Sequence, residues 1–281
     1  MSGTLFVVAT PIGNLDDLTP RARQTLAAVD LIAAEDTRHT GRLLSHFGIK
    51  TRLLALHEHN EQELAQTLAN DLVAGKSIAL VSDAGTPLVS DPGYRVVLAA
   101  HRVGVPVSPI PGPSAVTAGL SVAGLPTDRF CFEGFLPAKK KARSDVLERL
   151  TSEPRTMVFY ESVHRIADAL GDLVTAFGED RPAFLGRELT KLHEQCVHGS
   201  LGELLVQTGD STIRGKGEFV IIVGGSQQAK TSSALIDRLL LELAGLLPGK
   251  DVAKAVARAT GEKRNALYQR LLELTKDDNN R

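Results

Sequence analysis

Residues 80–93 read L-V-S-D-A-G-T-P-L-V-S-D-P-G, and this stretch decides how the chain folds. It leaves a short apolar strand pattern at 77–81 and enters a helix-like segment at 94–103. Its fourteen positions hold two Gly, two Pro, two Ser and two Asp. That composition builds neither strand nor helix, because Gly and Pro impose particular backbone angles while Ser and Asp bond to their own backbone. Open α/β sheets hold ligands at the carboxyl ends of their strands. A second rigid loop, P-I-P-G-P-S at 109–114, follows the next strand, and a third, T-P-I-G-N at 10–14, ends the first. One such loop reads as a tight connection. Several on neighbouring strand ends read as one pocket.

Outward from that loop the chain alternates. Apolar strands at 5–9, 31–34, 52–56, 77–81 and from Val105 are each followed by a helical pattern. Thr19-Pro20 supplies an N-cap and a first-turn proline, and Leu64, Leu68 and Leu72 fall four apart on one helix face. Five such units predict a largely parallel sheet covered on both faces. After Ser114 the rhythm changes. Strands are expected at 130–134, 156–160, 183–188, 195–199 and 218–223, with helices at 115–123, 142–151, 163–177 and 201–207. Strands now outnumber helices, which predicts a mixed sheet with antiparallel pairs. The fold class is therefore α/β: a parallel-rich domain at 1–112, a second, mixed domain at 113–225, and a cleft at the Pro-rich 109–113 loop. Gly224-Gly225-Ser226-Gln227-Gln228 reads as a linker. Beyond it, 226–281 is a small all-helical domain. Its 251–274 segment, with a turn at Gly261, is helix-turn-helix-like.

Composition narrows the function. At 281 residues and 43% apolar, the chain is long enough for two ordinary domains. It contains no run of eighteen apolar residues and starts without a basic n-region, so neither a membrane span nor a signal peptide is expected. Cys131 and Cys196 form no C-x-x-C and imply neither disulfide nor zinc site, which fits a reducing cytoplasm. The net charge of −1 conceals an asymmetry: residues 226–281 carry ten Lys/Arg against seven Asp/Glu, leaving −4 for the rest. Lys139, Lys140, Lys141 and Arg143 form a further basic run.

Several familiar chemistries are missing. No G-x-G-x-x-G follows the first strand and no G-x-S-x-G elbow occurs. The stretch at 209–217, G-D-S-T-I-R-G-K-G, is one residue too long for a P-loop, and Gly217 stands where a hydroxyl should hold magnesium. His57 and His59 would share one strand face, but no third metal ligand is evident. No metal is expected.

The phrases V-A-T-P-I-G-N-L at 8–15, A-E-D-T-R at 34–38, S-D-A-G-T-P-L-V-S-D-P-G at 82–93 and P-G-P-S at 111–114 carry a resemblance. R-E-L-T-K-L-H-E at 187–194 and K-G-E-F-V at 216–220 agree with it. Together they resemble the tetrapyrrole-methylase-like (class III) superfamily of S-adenosylmethionine methyltransferases, on the branch of bacterial 16S rRNA cytidine 2′-O-methyltransferases. Porphyrin-modifying members usually show Gly-Asp-Pro where this chain has Asp83-Ala84-Gly85, which sets it apart from the tetrapyrrole branch. The resemblance implies S-adenosylmethionine held in the cleft between two α/β domains, a homodimer, and a decoding-centre cytidine of 16S rRNA in the small ribosomal subunit as acceptor.

On that reading Pro11, Asp83, Ala84, Gly85, Pro87, Val89, Ser90, Ser114, Ala115, Tyr160, Glu188, Leu189, Gly217 and Glu218 are expected to line the cofactor pocket. A ribose hydroxyl is almost wholly protonated at neutral pH, so the acceptor must be aligned and its proton removed. Glu58 or Lys191 is expected to assist, with Asp36, His57, Asn60 and Glu188 as further polar candidates. Arg38, whose fork suits a phosphate, Lys139, Lys140, Lys141, Arg143, Lys263 and Arg264 are expected to contact RNA. Two alternatives stay open: a small-molecule, tetrapyrrole-type methyltransferase, and a nucleic-acid-binding protein without catalysis. Converging strand-end loops count against the second, and the basic tail against the first.

Overall fold

A computed structural model describes residues 2–210, 212, 217–226 and 233–278. Parts of the 209–217 stretch and of the 224–228 linker lie outside these residues. The chain divides into two compact units, residues 1–225 and 226–281.

The first unit opens with β1 (Leu5–Val8), α1 (Pro20–Ala28), β2 (Leu31–Ala34), α2 (Thr37–His46), β3 (Leu53–Ala55), α3 (Glu61–Val73), β4 (Ile78–Val81), α4 (Tyr94–Arg102) and β5 (Val107–Ile110). All strand pairings are parallel, in the order β3-β2-β4-β1-β5. Each βα step returns the chain through a helix, so neighbouring strands run the same way and helices cover both faces. Every residue of β2 and β4 is buried accordingly. Leu5, Leu68, Leu72 and Val96 pack one face, and Leu26, Ile32, Leu43 and Val81 the other. Thr19 caps α1 through the Ala22 N–H at 3.1 Å.

The chain continues through α5 (Ala115–Val122), β6 (Phe130–Phe135), α6 (Lys140–Leu150), β7 (Thr156–Ser162), α7 (Ile166–Phe177), β8 (Pro182–Arg187), β9 (Gln195–Ser200), α8 (Leu201–Gly209) and β10 (Glu218–Val223). This sheet runs β6-β7-β10-β8-β9 and is mixed: β6 lies parallel to β7, and the other neighbours are antiparallel. One face carries Leu147, Phe159, Leu170 and Phe177 in the core under the outer helices. Val158, Phe184 and Val220 on the other face pack with Ile12 and Val89 from the loops of the first sheet. Shared packing makes both sheets lobes of one compact unit. Several strand ends differ from expectation by one or two residues, and two of them bear on the site. β8 stops at Arg187 because Glu188 turns into the left-handed region with φ 50°. β6 passes Gly134 and extends to Phe135 across a bulge.

The second unit holds α9 (Ser233–Ala244), α10 (Gly249–Thr260) and α11 (Arg264–Asp278) around Leu240, Val252, Val256, Leu267 and Leu271. Gly261, at φ 76°, ends α10 and turns the chain into α11. Arg270 clamps Asp237 through two nitrogens at 2.9 and 2.7 Å, tying α11 to α9.

Candidate active site

The strand-end loops of the first sheet are stitched together. Thr10 and Gly85 exchange backbone bonds of 2.9 and 3.0 Å, the Thr10 hydroxyl donates to the Ser82 carbonyl at 3.3 Å, and the Thr86 hydroxyl to that of Pro113 at 3.1 Å. Leu88, at φ 72°, and Ser90, at φ 68°, hold left-handed conformations that side chains disfavour. Glu61 fixes the far end of this loop. Its Oε1 accepts from the Gly93 and Arg95 N–H groups at 3.0 and 2.6 Å.

The loops border a cavity of about 350 Å³. Of the residues expected there, Asp83, Ala84, Gly85, Val89, Ser90, Ser114, Ala115, Tyr160, Leu189 and Glu218 line it. Pro11, Pro87, Glu188 and Gly217 do not, although each adjoins a lining residue in sequence or space. Sequence reasoning missed Glu35, Asp91, Phe135 and Glu161 as lining residues. Glu35 and Asp91 stood inside quoted motifs, so motif membership was their only signal. Phe135 and Glu161 had none, because their facing depends on strand phase.

Carboxylates dominate the first wall. Asp83 Oδ1 accepts from the Asp36 N–H at 3.0 Å, and Glu35 Oε2 from the Asp83 N–H at 3.4 Å. Burial pushes the Asp91 carboxyl up to about 6, against the Ser82 hydroxyl, and the charges of Glu35 and Asp83 add to the rise. Glu35 is raised as well, first by burial and then by Asp83, Glu58 and Asp36, with the Asp83 N–H opposing. Such a site favours a cationic occupant.

The second wall is built from side chains standing on its sheet. Tyr160 meets Phe132 and Phe135 edge-on, at centroid distances of 4.9 and 5.5 Å. Burial raises the Tyr160 phenol, keeping it protonated. Glu161 is 1% exposed; its Oε1 accepts from the Ser162 N–H at 2.8 Å, and Arg165 lies 3.2 Å from Oε2.

Three sequence expectations change. Lys191 lies at the cavity, but its ammonium donates to Glu188 Oε1 and Glu218 Oε2, both at 2.8 Å. Burial alone would lower its pKa; the two carboxylates outweigh that and raise it, so Lys191 is a held cation and not a free base. Arg143 is 4% exposed rather than open to RNA. It pairs with Asp172 at 2.6 Å and donates to the Pro137 and Ala138 carbonyls, because its place one turn into α6 faces α7. Arg38 is exposed, yet Asp36 already fills its fork at 3.2 and 2.8 Å, and this pairing holds the Asp36 carboxyl far below its usual range.

The remaining candidates fall on the surface. β3 ends at Ala55, so His57 and His59 occupy an exposed turn instead of a strand face, their rings 5.9 Å apart. Glu58 is exposed in the same turn and lies apart from the cavity lining. Asn60 serves that turn, accepting from the His57 N–H and donating to the Ala55 carbonyl. Lys139, Lys140, Lys141, Lys263 and Arg264 are exposed.

Residues 4–205 match the family of Tetrapyrrole (Corrin/Porphyrin) Methylases, and residues 230–275 match the RsmI C-terminal HTH domain. The chain is 54% identical over 273 residues to Ribosomal RNA small subunit methyltransferase I of Escherichia coli O157:H7, covering 96% of this chain and 95% of that one. It is also 54% identical to the protein of that name from Xylella fastidiosa, over 95% of this chain and 98% of the other. Among solved structures, uroporphyrin-III-C-methyltransferase from Thermus thermophilus is similar at a TM-score of 0.56 and 19% identity, over 79% of this chain and 94% of that one. Diphthine synthase reaches a TM-score of 0.61 at 17% identity, over 79% and 90%. These two likenesses are of fold.

Proposed function

The chain belongs to the tetrapyrrole (corrin/porphyrin) methylase family, and we propose that it methylates the 2′-hydroxyl of a decoding-centre cytidine in 16S rRNA of the small ribosomal subunit. Its methyl donor is S-adenosylmethionine. Relatives similar over nearly their full length bear the name of small-subunit rRNA methyltransferases, which supports the choice of acceptor. We propose further that it acts as a homodimer in the cytoplasm, and that residues 226–281 contact RNA through groups such as Lys263 and Arg264.

The observation that carries this reading is the acid-walled cavity between the two sheets. Its volume of about 350 Å³ suits a small-molecule cofactor. The charge of Asp83 raises the proton affinity of Glu35, and Glu35 and Asp83 together raise that of Asp91, so a positively charged ligand relieves this repulsion. S-adenosylmethionine carries a sulfonium and an ammonium, and it supplies a methyl group already activated by its positive sulfur. The rigid loops at Gly85, Ser90 and Ser114 would hold it through backbone groups, and Tyr160 and Leu189 would cover its apolar parts.

The protein's remaining task is to place the ribose hydroxyl and take its proton. Glu35, at the cavity end of β2 and kept basic by burial, is the carboxylate we assign as acceptor. Lys191, fixed between Glu188 and Glu218, orients that rim.

The test is transfer of labelled methyl from S-adenosylmethionine to small ribosomal subunits lacking the modification, with uroporphyrinogen as the parallel acceptor. Label is expected in the subunit, and alkaline hydrolysis is expected to leave the modified linkage uncut, since a methylated 2′-oxygen cannot attack its phosphate. Label in uroporphyrinogen alone would reverse the reading. Removing 226–281 is expected to leave cofactor affinity intact while flattening the salt dependence of subunit binding.

A further inference from the structure

β6 changes phase just before it reaches the cavity. It starts in regular register with β7: Phe130 opposes Thr156, Cys131 opposes Met157 and Phe132 opposes Val158. Glu133 and Gly134 then share the place of one residue, so that Gly134 opposes Phe159 and Phe135 opposes Tyr160. Gly134 takes φ 68°, a conformation that suits glycine, as one position of a β-bulge often requires.

The consequence falls on Phe135. Side chains alternate between the faces of a strand, so an uninterrupted β6 would send Phe135 into the core occupied by Met157 and Phe159. The bulge turns it to the face of Val158 and Tyr160 instead, where it lines the cavity and remains 55% exposed. Its ring stands 5.5 Å from that of Tyr160 at an interplanar angle of 63°. A buried phenylalanine would gain far more from the hydrophobic effect than one left open at a rim. The local backbone thus places an aromatic face at the cavity mouth at the expense of core packing. Four residues on begin three exposed ammonium groups, Lys139, Lys140 and Lys141, at the start of α6.

From this arrangement we propose that Phe135 is the platform on which the acceptor nucleobase stacks while its ribose enters the cavity; the assignment rests on the RNA reading above. Proteins that select a nucleotide from folded RNA take it out of the stack and lay its base on an aromatic ring. An aromatic with cations four to six residues further along supplies both parts of that recognition, a π-face for the base and positive charge for the flanking phosphates. Phe135 is a positioning residue: it sets where the ribose sits relative to Glu35 and takes no part in proton transfer.

The experiment compares wild type with Phe135→Ala, Phe135→Leu and Phe135→Trp. It reads steady-state methylation of small subunits, cofactor affinity by calorimetry, and sedimentation. For Phe135→Ala the KM for the subunit is expected to rise roughly ten- to a hundredfold, the range that loss of one stacked base predicts. Because Phe135 lines the cavity and sets the ribose position, kcat is expected to fall as well, whereas cofactor affinity is expected to change less than the KM for the subunit. Phe135→Trp is expected to restore the wild-type KM, and Phe135→Leu to behave as the alanine variant. The assignment is overturned if leucine serves as well as tryptophan, or if alanine leaves the KM unchanged. A change of sedimentation in Phe135→Ala would equally overturn it, marking this face as a contact between copies. Wild-type protein that transfers no methyl to the subunit sinks the RNA reading and the platform with it. Where wild type is active, the variants judge Phe135 alone.

Discussion

The two walls of the cavity are made by different means. The wall from the parallel sheet takes its shape from backbone: Gly85, Leu88 and Ser90 hold left-handed angles, cross-loop hydrogen bonds keep them there, and the carboxylates of Glu35, Asp83 and Asp91 are carried on that frame. The wall from the mixed sheet is chiefly side chain, with Tyr160, Phe135 and Val220 standing on the pleated surface. Parallel strands end together at one edge of their sheet, so their loops converge without help. A mixed sheet presents a face instead, and what reaches the ligand depends on which residues point that way. One wall is therefore sensitive to added atoms, the other to removed ones.

The largest effect should come from behind the side-chain wall. Arg143→Ala leaves Asp172 unpaired in a buried setting and strips donors from the Pro137 and Ala138 carbonyls, just beyond Phe135. A loss of about 3 kcal/mol in chemical denaturation is expected. Replacing Lys139, Lys140 and Lys141 together by alanine should change stability by less than about 1 kcal/mol while weakening subunit binding at low salt. Equal stability losses from both changes would show that Arg143 is no more structural than its exposed neighbours.

Next comes the backbone wall. At Gly85, φ is 83° and an added Cβ would meet Ile12 Cγ2 at 3.2 Å. Gly85→Val is expected to keep its fold and lose cofactor affinity by roughly ten- to a hundredfold, from backbone strain and crowding. Unchanged calorimetric affinity in folded Gly85→Val protein would dissolve the distinction between the walls.

A smaller effect separates binding from stability. Asp91 has its carboxyl pushed up to about 6 by burial, so it is charged above that pH and neutral below. Affinity for a cationic cofactor should drop severalfold as pH falls through about 6. Stability of the ligand-free protein should move the other way. The folded state binds this proton more tightly than the unfolded chain, so this group favours unfolding above about 6 and ceases to do so as pH falls. Asp91→Asn should remove both trends. A variant that keeps either one assigns it to another group.

The smallest expected effect is an absence. Because Glu188 and Glu218 raise the Lys191 pKa, the rate at saturating cofactor should show no limb from this lysine between pH 7 and 9. A basic limb that vanishes in Lys191→Met would restore Lys191 as the proton acceptor. It would also move the chemistry from the first wall to the second.

Much of this molecule was legible in its residues. Apolar strands alternating with helical patterns specified the parallel sheet, since a strand buried on both faces needs no partner information to be recognised. Pro and Gly at strand ends marked the backbone wall, because those residues carry their conformational preference with them. Strand phase and pairing stayed hidden. Phe135 lay beyond the expected end of its strand, and only the register of β6 on β7 shows the bulge that turns it to the cavity. Arg143 sat in a run of lysines that looked uniformly exposed, and only the packing of α6 on α7 separates it from them. Lys191 had the chemistry of a base until the fold set two carboxylates beside it. Local preference is written in each residue, whereas burial, facing and charge environment belong to pairs of residues distant in the chain, and those come into being only when it folds.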